Sequence, residues 1–499
     1  MSITSIFQPA PRNQSYWHST AKAAVIDSLR RAEAFDDKAR RDIWQALHAF
    51  LDGEHRSELE TRLKALYPNT ASDLNRGEHG HRYFPLIQMM AQRLSVVMAH
   101  TAPETWLERN GERLPEDDPQ VQQMRRDWET CEIDVTLATA ELWSTTMGQC
   151  LLQPCFRKGV MRWDLHAPYE IWIDQDPEDP SRLEGARHIS VILPQPADSS
   201  DVHTDTLYYT WRRESVRDEQ GREVGARWFS FLHDGSGNLH VNPLFSDPDG
   251  INGYGLHPFV VWRTERPPAG SFWVPPRKGW YHAQLASDVK LVDLDLHLRT
   301  QIHAQPVATG GEFKTIALGP DKLIHSPDND FQLEYVSQKP NLNLLIDGFD
   351  FDLRISAVAE GLPADVFSQA STSRTLSAKQ LESAALRHRR QRTIPWHKRA
   401  LQRTWQVHRA VGNYWADQGA DRIRYDDDLT LGIQFAPLPE VFDRFQDTQA
   451  SMLEIQNGIS TASDVLMRRL GITRQEADRM VERNRAELDA LTPPEDPAV

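Results

Sequence analysis

The chain has 499 residues, a formal net charge of −15, 39% hydrophobic and 25% charged residues, and 15 tryptophans. That length and apolar content exclude a disordered chain and are enough for several domains or one large irregular one. The acidic balance argues against a protein that grips DNA tightly by its phosphates, such as a repressor, a nuclease or a clamping packaging factor. It leaves open a channel wall past which DNA slides.

No apolar run approaches a membrane span, and the start MSITSIFQPAPRNQSYW has no charged-then-apolar secretion signal. Cys131, Cys150 and Cys155 make no disulfide framework and have no histidine cluster beside them, so reduced, structural thiols and cytoplasmic synthesis are expected.

Residues 20–70 predict short helices, with Ile43, Leu47 and Leu51, then Leu59, Leu63 and Leu66, at helical spacing. Between Phe84 and His100, Leu86, Ile87, Met90, Leu94, Val97 and Met98 form one face of a stronger helix. Residues 119–148 predict another helical stretch after the acidic break PEDDP. From about 149 to 264 the pattern alternates and turns often. LLQPCFRKGVMRWDL, YEIWID, RHISVIL, TLYYTWRRESV, GARWFSFLH and HPFVVWRT read as strands of a mostly antiparallel region.

After ERPPAGSFWVPPRKG, a helix is expected from about Trp280 to His303 with two apolar stripes. Tyr281, Leu285, Val289, Val292 and Leu296 form one; Leu291, Leu294, Leu298 and Ile302 form the other. Such a helix must be covered on two sides, either inside one chain's core or by two neighbours in a ring. Residues 304–340 read as short strands and turns, and 341–360 as a second helix. GLPADVFSQASTSRTLS reads as a Ser/Thr-rich loop. The longest helix is expected from about Ser377 to about Gly419, kinked at Pro395. RIRYDDDLTLGIQF then reads as a strand. Helices at 439–457, 463–470 and 473–490 follow, with capping at Ser460 and Ser463, before the tail LTPPEDPAV.

The order of these parts resembles the portal, or head–tail connector, proteins of tailed bacteriophages. Three stretches carry the resemblance: HPFVVWRT with the helix SDVKLVDLDLHLRTQIHAQPVATGG; VAEGLPADVFSQASTSRTLSAKQLESAALRHRRQR; and FQDTQASMLEIQNGISTASDVLMRRLGITRQEADRMVERNRAEL. Together they span roughly residues 80–490. The chain has Ser373-Arg374-Thr375-Leu376 where many relatives have Ser-Gly-x-Ala-Leu. The resemblance implies an α+β chain with a helical and β-rich wing at 1–264, a linker and first stem helix at 265–303, and a small α/β clip at 304–340. A second stem helix at 341–360, a tunnel loop at 361–376, a kinked helix and returning wing strand at 377–438, and a helical crown at 439–499 follow.

The implied function is not enzymatic and needs no cofactor or metal. It is a homo-oligomeric ring of about twelve copies at one capsid vertex of a virion, made in the host bacterial cytoplasm, through which double-stranded DNA passes during packaging and ejection. Partners would be the terminase large subunit, the major capsid and scaffolding proteins and a head–tail adaptor, with no membrane. Leu285, Val289, Val292, Leu294, Leu296 and Leu298 would make ring contacts along the first stem helix. Ser368, Gln369, Ser371, Thr372, Ser373 and Arg374 would lie in the tunnel loop near DNA. Asp321, Lys322, His325, Asp328 and Asp330 would form the docking face of the clip. The basic stretch 377–410 includes Arg387, Arg389, Arg390, Arg392, Lys398 and Arg399, with His388, His397 and His408 adding to it. It would face DNA or pair with acidic neighbours such as Asp426, Asp427 and Asp428, the second being favoured because a sticky belt would stall translocation.

Other chemistry is weaker. Glu78-His79-Gly80-His81 lacks further ligands at a useful spacing, and Asp174, Asp176, Glu178 and Asp179 lack the glycine pattern of a calcium loop. No GxxxxGK[ST] or GxSxG motif occurs. Two alternatives stay open: another phage structural protein, such as a minor head or baseplate component, and a metal-dependent phage DNA enzyme.

Overall fold

The structure is a computed structural model. It describes residues 38–68, 83–98, 102–176, 179–180, 183–193, 205–217, 220, 223–234, 239–240, 251–302, 305–309, 332–336, 342–364, 367, 376–436 and 444–491. The architecture is α+β, with helices joined to small antiparallel sheets. The chain divides into two compact units. One comprises 1–51, 87–278 and 373–499; the other comprises 52–86 and 279–372.

In the first unit, α1 (Lys38–Leu51) buries Trp44, Leu47, Phe50 and Leu51 on one face, and α3 (Leu86–Leu94) follows α2 of the second unit (Arg56–Leu66). The strands β1 (Glu104–Arg109) and β2 (Glu112–Arg113) were not evident in the sequence. Their hairpin turns on Asn110 and Gly111, both at positive φ, which matches the right-handed twist of the paired strands. The helical stretch expected at 119–148 comprises two helices, α4 (Pro119–Thr130) and α5 (Ile133–Met147). Asp118 caps α4 by accepting from Gln120 N at 2.8 Å. The break falls at Glu132, whose left-handed backbone cannot continue a helix.

The strands β3 (Gln149–Arg157) and β4 (Val160–His166) form a second hairpin, turning on Lys158 and Gly159, again both at positive φ. β10 (Val260–Arg263) joins β3 on its other side. A five-stranded meander runs β5 (Ile171–Gln175), β6 (Leu183–Leu193), β7 (Asp205–Arg217), β8 (Glu223–Asp234) and β9 (Leu239–His240). Its buried side chains include Trp211, Trp228 and Leu232.

The longest helix, α8 (Leu376–Asp417), packs on β3 and β10 and runs unbroken through Pro395. The returning strand is shorter than RIRYDDDLTLGIQF suggested: only β13 (Leu429–Gln434) pairs, antiparallel to β1. Gly432 faces Trp106 across that ladder, and a Cβ there would lie 2.2 Å from the indole, so the close approach requires glycine. The C-terminal helices are α9 (Arg444–Gln456), α10 (Ala462–Leu470) and α11 (Arg474–Leu491). Thr461, rather than Ser460 or Ser463, caps α10. Its hydroxyl accepts from Asp464 N while Asp464 accepts from Thr461 N, a reciprocal capping box.

The second unit contains α2, α6 (Lys278–Ile302), the antiparallel pair β11 (Gln305–Thr309) and β12 (Gln332–Val336), and α7 (Leu342–Ala359). Leu59 and Leu63 of α2 pack with Val292 of α6, and Tyr67 and Val289 complete that cluster. Beside it is a buried polar knot. Asp288 accepts from His55 Nδ1 at 3.0 Å, from Phe84 N at 3.1 Å and from Gln284 Nε2 at 2.9 Å. Three donors onto one buried carboxylate replace the water it loses.

Candidate functional site

The two long helices of the second unit differ in what they leave uncovered. On α6, Trp280, Leu285 and Val292 are buried, and Gln284, Ser287 and Asp288 are fully buried with them. Leu285 and Val292, expected to meet sister copies, are instead covered by their own chain. The reason lies in α2, which fills the groove beside Val289 and Val292. Leu294 is half-buried. Leu296 and Leu298 lie on the helical backbone, but their side chains lie outside the described residues.

The uncovered apolar face belongs to α7. Leu344, Phe351, Ile355 and Val358 are 69%, 62%, 54% and 57% exposed. They recur at i, i+7, i+11 and i+14, one face of a helix. The opposite face is satisfied within the unit. Leu353 and Ala357 are buried, Phe349 meets Phe84 edge-on at 5.4 Å, and Lys290 of α6 donates to Asp352 at 2.6 Å and to Gly348 O at 3.0 Å. Trp280 Nε1 donates to Glu360 at 2.7 Å, just beyond the end of α7. Thus α7 is held on one side and exposes Phe351, Ile355 and Val358 on the other. Covering each exposed side chain would stabilise a complex by about 1–2 kcal/mol before association costs. The spacing that marks this stripe was readable at 344–358, but the α6 pattern is louder in the sequence.

The basic stretch on α8 is not one surface. Arg390 is buried, donating to Val96 O at 2.9 Å and to Ala436 O, with its pKa lowered by burial. It therefore pins its own chain instead of facing DNA or a neighbour. Arg387 and Arg389 are half-buried, whereas Arg392, Lys398 and Arg399 are exposed. His397 and His408 are fully buried, so they do not add to a surface charge. Burial pushes His397 down to about 4. Burial also lowers His408, although its hydrogen bond to Asp127 opposes the shift.

His408 belongs to a second buried knot. Its Nε2 donates to Asp127 at 2.9 Å and its Nδ1 accepts from Trp163 Nε1 at 3.1 Å. Asp127 also accepts from Arg422 and from Tyr425 Oη, each at 2.8 Å. Burial alone would raise the Asp127 carboxyl, but the His408 hydrogen bond and the Arg422 charge hold it far below the usual carboxylate range. The trio Asp426, Asp427 and Asp428 is engaged within its own chain: Arg109 pairs with Asp426 and Asp428, and Arg424 lies 3.7 Å from Asp427. That trio was expected to pair with the basic helix of a neighbour; Arg109, on the paired strand β1, reaches it first.

The tunnel-loop set Ser368, Gln369, Ser371, Thr372, Ser373 and Arg374 lies outside the described residues, as does the clip set Asp321, Lys322, His325, Asp328 and Asp330. Glu78, His79 and His81 also lie outside them. Asp176 accepts from Asp179 N at 3.2 Å. Among the described residues no group of three or more His, Cys, Asp or Glu is gathered as a metal set, and no helix is long and apolar enough to cross a membrane. The three cysteines are buried and unpaired.

No family model matches the chain, and no curated protein matches it. Among solved structures, it is similar to a chain in the neck of an empty gene transfer agent (GTA) particle computed with C6 symmetry. The TM-score is 0.38 at 11% identity, covering 78% of this chain and 91% of that one. A chain in the virion of a native GTA particle gives a TM-score of 0.35 at 11% identity, covering 80% of this chain and 94% of that one. A likeness at that TM-score carries neither fold nor function across.

Proposed function

We propose that this chain is a portal-type subunit. About twelve copies would form a ring at one capsid vertex, the channel for packaging and ejecting double-stranded DNA. The ring would dock the terminase large subunit and later a head–tail adaptor. In this reading the protein performs no bond chemistry, and its work is geometric. The order of parts in the sequence supports the reading, but the observation that carries it is the bare stripe of α7. A helix tied to its own unit by Lys290 and Phe349, yet presenting Phe351, Ile355 and Val358 outward, is built to meet another surface. A repeated copy supplies one in a closed ring, where each subunit gives one face and receives another.

Negative-stain electron microscopy and native mass measurement of the purified chain test this. The expected result is a toroid with a central hole. Phe351→Asp with Ile355→Asp should yield a soluble, folded chain that forms no ring, because both positions are exposed in the single subunit. A wild-type chain that stays monomeric, or a double variant that still forms rings, would refute the proposal.

A further inference from the structure

The first unit contains an arginine-lined cleft that the ring reading does not use. It holds about 510 Å³ between β7, β8, β10 and α8, within the range of small-molecule sites. Arg213, Arg263, Arg399 and Arg403 line it, together with His257, and no Asp or Glu is among the described lining residues. Arg263, Arg399 and Arg403 form no ion pair among the described residues. A smaller cleft of about 440 Å³ adjoins it, sharing Arg263, Arg399 and Trp396 and adding Arg266 and the acidic Asp179.

The guanidiniums are held in place rather than adrift. Arg263 lies over the Phe272 ring at 4.6 Å and donates to Phe272 O. Arg399 lies 5.9 Å from the Trp396 ring, and Arg403 donates to Gln406 at 2.9 Å. Trp228 and His257 pack at 4.9 Å to form part of the wall. Two polar atoms in this setting are buried without a partner: Arg263 Nε and His257 Nδ1. Buried polar groups are ordinarily satisfied, so an unsatisfied guanidinium nitrogen among further arginines is open to an acceptor.

We infer that this cleft binds the phosphate group of a small ligand, either inorganic phosphate or a nucleoside monophosphate. A single carboxylate brings one charge and two oxygens. A phosphate monoester brings nearly two charges and three acceptor oxygens, a closer match to several guanidiniums lining one cleft. A recess of about 510 Å³ is large enough for a small anion or a nucleotide. This inference stands independently of ring formation.

Isothermal titration of the full chain at constant ionic strength tests it with inorganic phosphate, deoxyadenosine monophosphate, deoxyadenosine and acetate. Phosphate and the monophosphate should bind once per chain, with deoxyadenosine and acetate at least about tenfold weaker. If inorganic phosphate binds as tightly as the monophosphate, the free ion is the source; tighter monophosphate binding makes the nucleotide the source. The double variant Arg399→Gln with Arg403→Gln alters exposed positions on a helix surface and should weaken binding by at least about tenfold. Arg125→Gln removes a positive charge from α4 and should leave binding unchanged. Failure of phosphate to bind the wild type at millimolar concentration, acetate binding as tightly as phosphate, or unchanged binding in the double variant would each overturn the assignment. A double variant that loses assembly in a protein that binds no phosphate would overturn it too, giving the arginines to contacts between copies.

Discussion

Replacing His397 with leucine should flatten part of the chain's dependence of stability on pH. The imidazole sits on α8, fully buried, 5.2 Å from the Trp262 ring, and neither ring nitrogen has a hydrogen-bond partner among the described residues. Burial lowers its pKa to about 4, against about 6.5 in an unfolded chain. The unfolded state therefore takes up a proton first as pH falls. Stability is full above about pH 6.5 and is lost as pH drops toward the folded value, the sign expected of a histidine buried neutral. Between pH 7 and pH 5 the loss is about 2 kcal/mol, approaching about 3 kcal/mol below pH 4. Leucine has a similar volume and no titrating group, so the variant should escape that loss. Other groups tilt the same curve: buried His257, held down at about 3, adds to it, and Glu141, raised by burial, opposes it. The decisive quantity is thus the difference between wild type and variant. Urea unfolding followed by tryptophan fluorescence, at several pH values and one protein concentration, measures it. Parallel loss of stability in the two proteins between pH 7 and pH 5 would refute the reasoning.

Two further outcomes follow from buried groups. Asp127→Ala should cost about 3–5 kcal/mol in urea unfolding, because Arg422, Tyr425 and His408 keep their burial and lose their shared acceptor; a loss below 1 kcal/mol would show that water replaces the carboxylate. Cys131, Cys150 and Cys155 are buried, and burial raises each thiol, with Cys155 pushed up to about 12. A thiol reagent at pH 8 should label none of them in the native chain and all three in denaturant, as read by intact mass.

Local signals in the sequence were legible where they were short-range. The extended character of LLQPCFRKGVMRWDL was readable, although that one expected strand is two, β3 and β4, and the helix at Leu342–Ala359 follows from its flanking turns. What failed was anything set by distant partners. β1 looks like nothing in particular until β13 pairs with it more than three hundred residues later. Arg390 reads as one more cation in a basic stretch, and only the approach of Val96 O and Ala436 O makes it internal. The arginine cleft has no linear signature at all, since β7, β10 and α8 each bring a part of it.

The helix α6 shows why apolar stripes alone mislead. Its two stripes invited a helix covered by neighbours on both sides, yet its most buried positions include Gln284, Ser287 and Asp288. Counting apolar residues ignores these, although Gln284 and Asp288 can be buried because partners are waiting. Here they are His55 and the Phe84 backbone, both supplied by the same chain. Those contacts commit one face of α6 internally, whereas α7 leaves Phe351, Ile355 and Val358 exposed. A stripe free of buried hydrogen-bonding groups can be covered and uncovered at the cost of apolar hydration alone. That property suits the contact between copies proposed for α7.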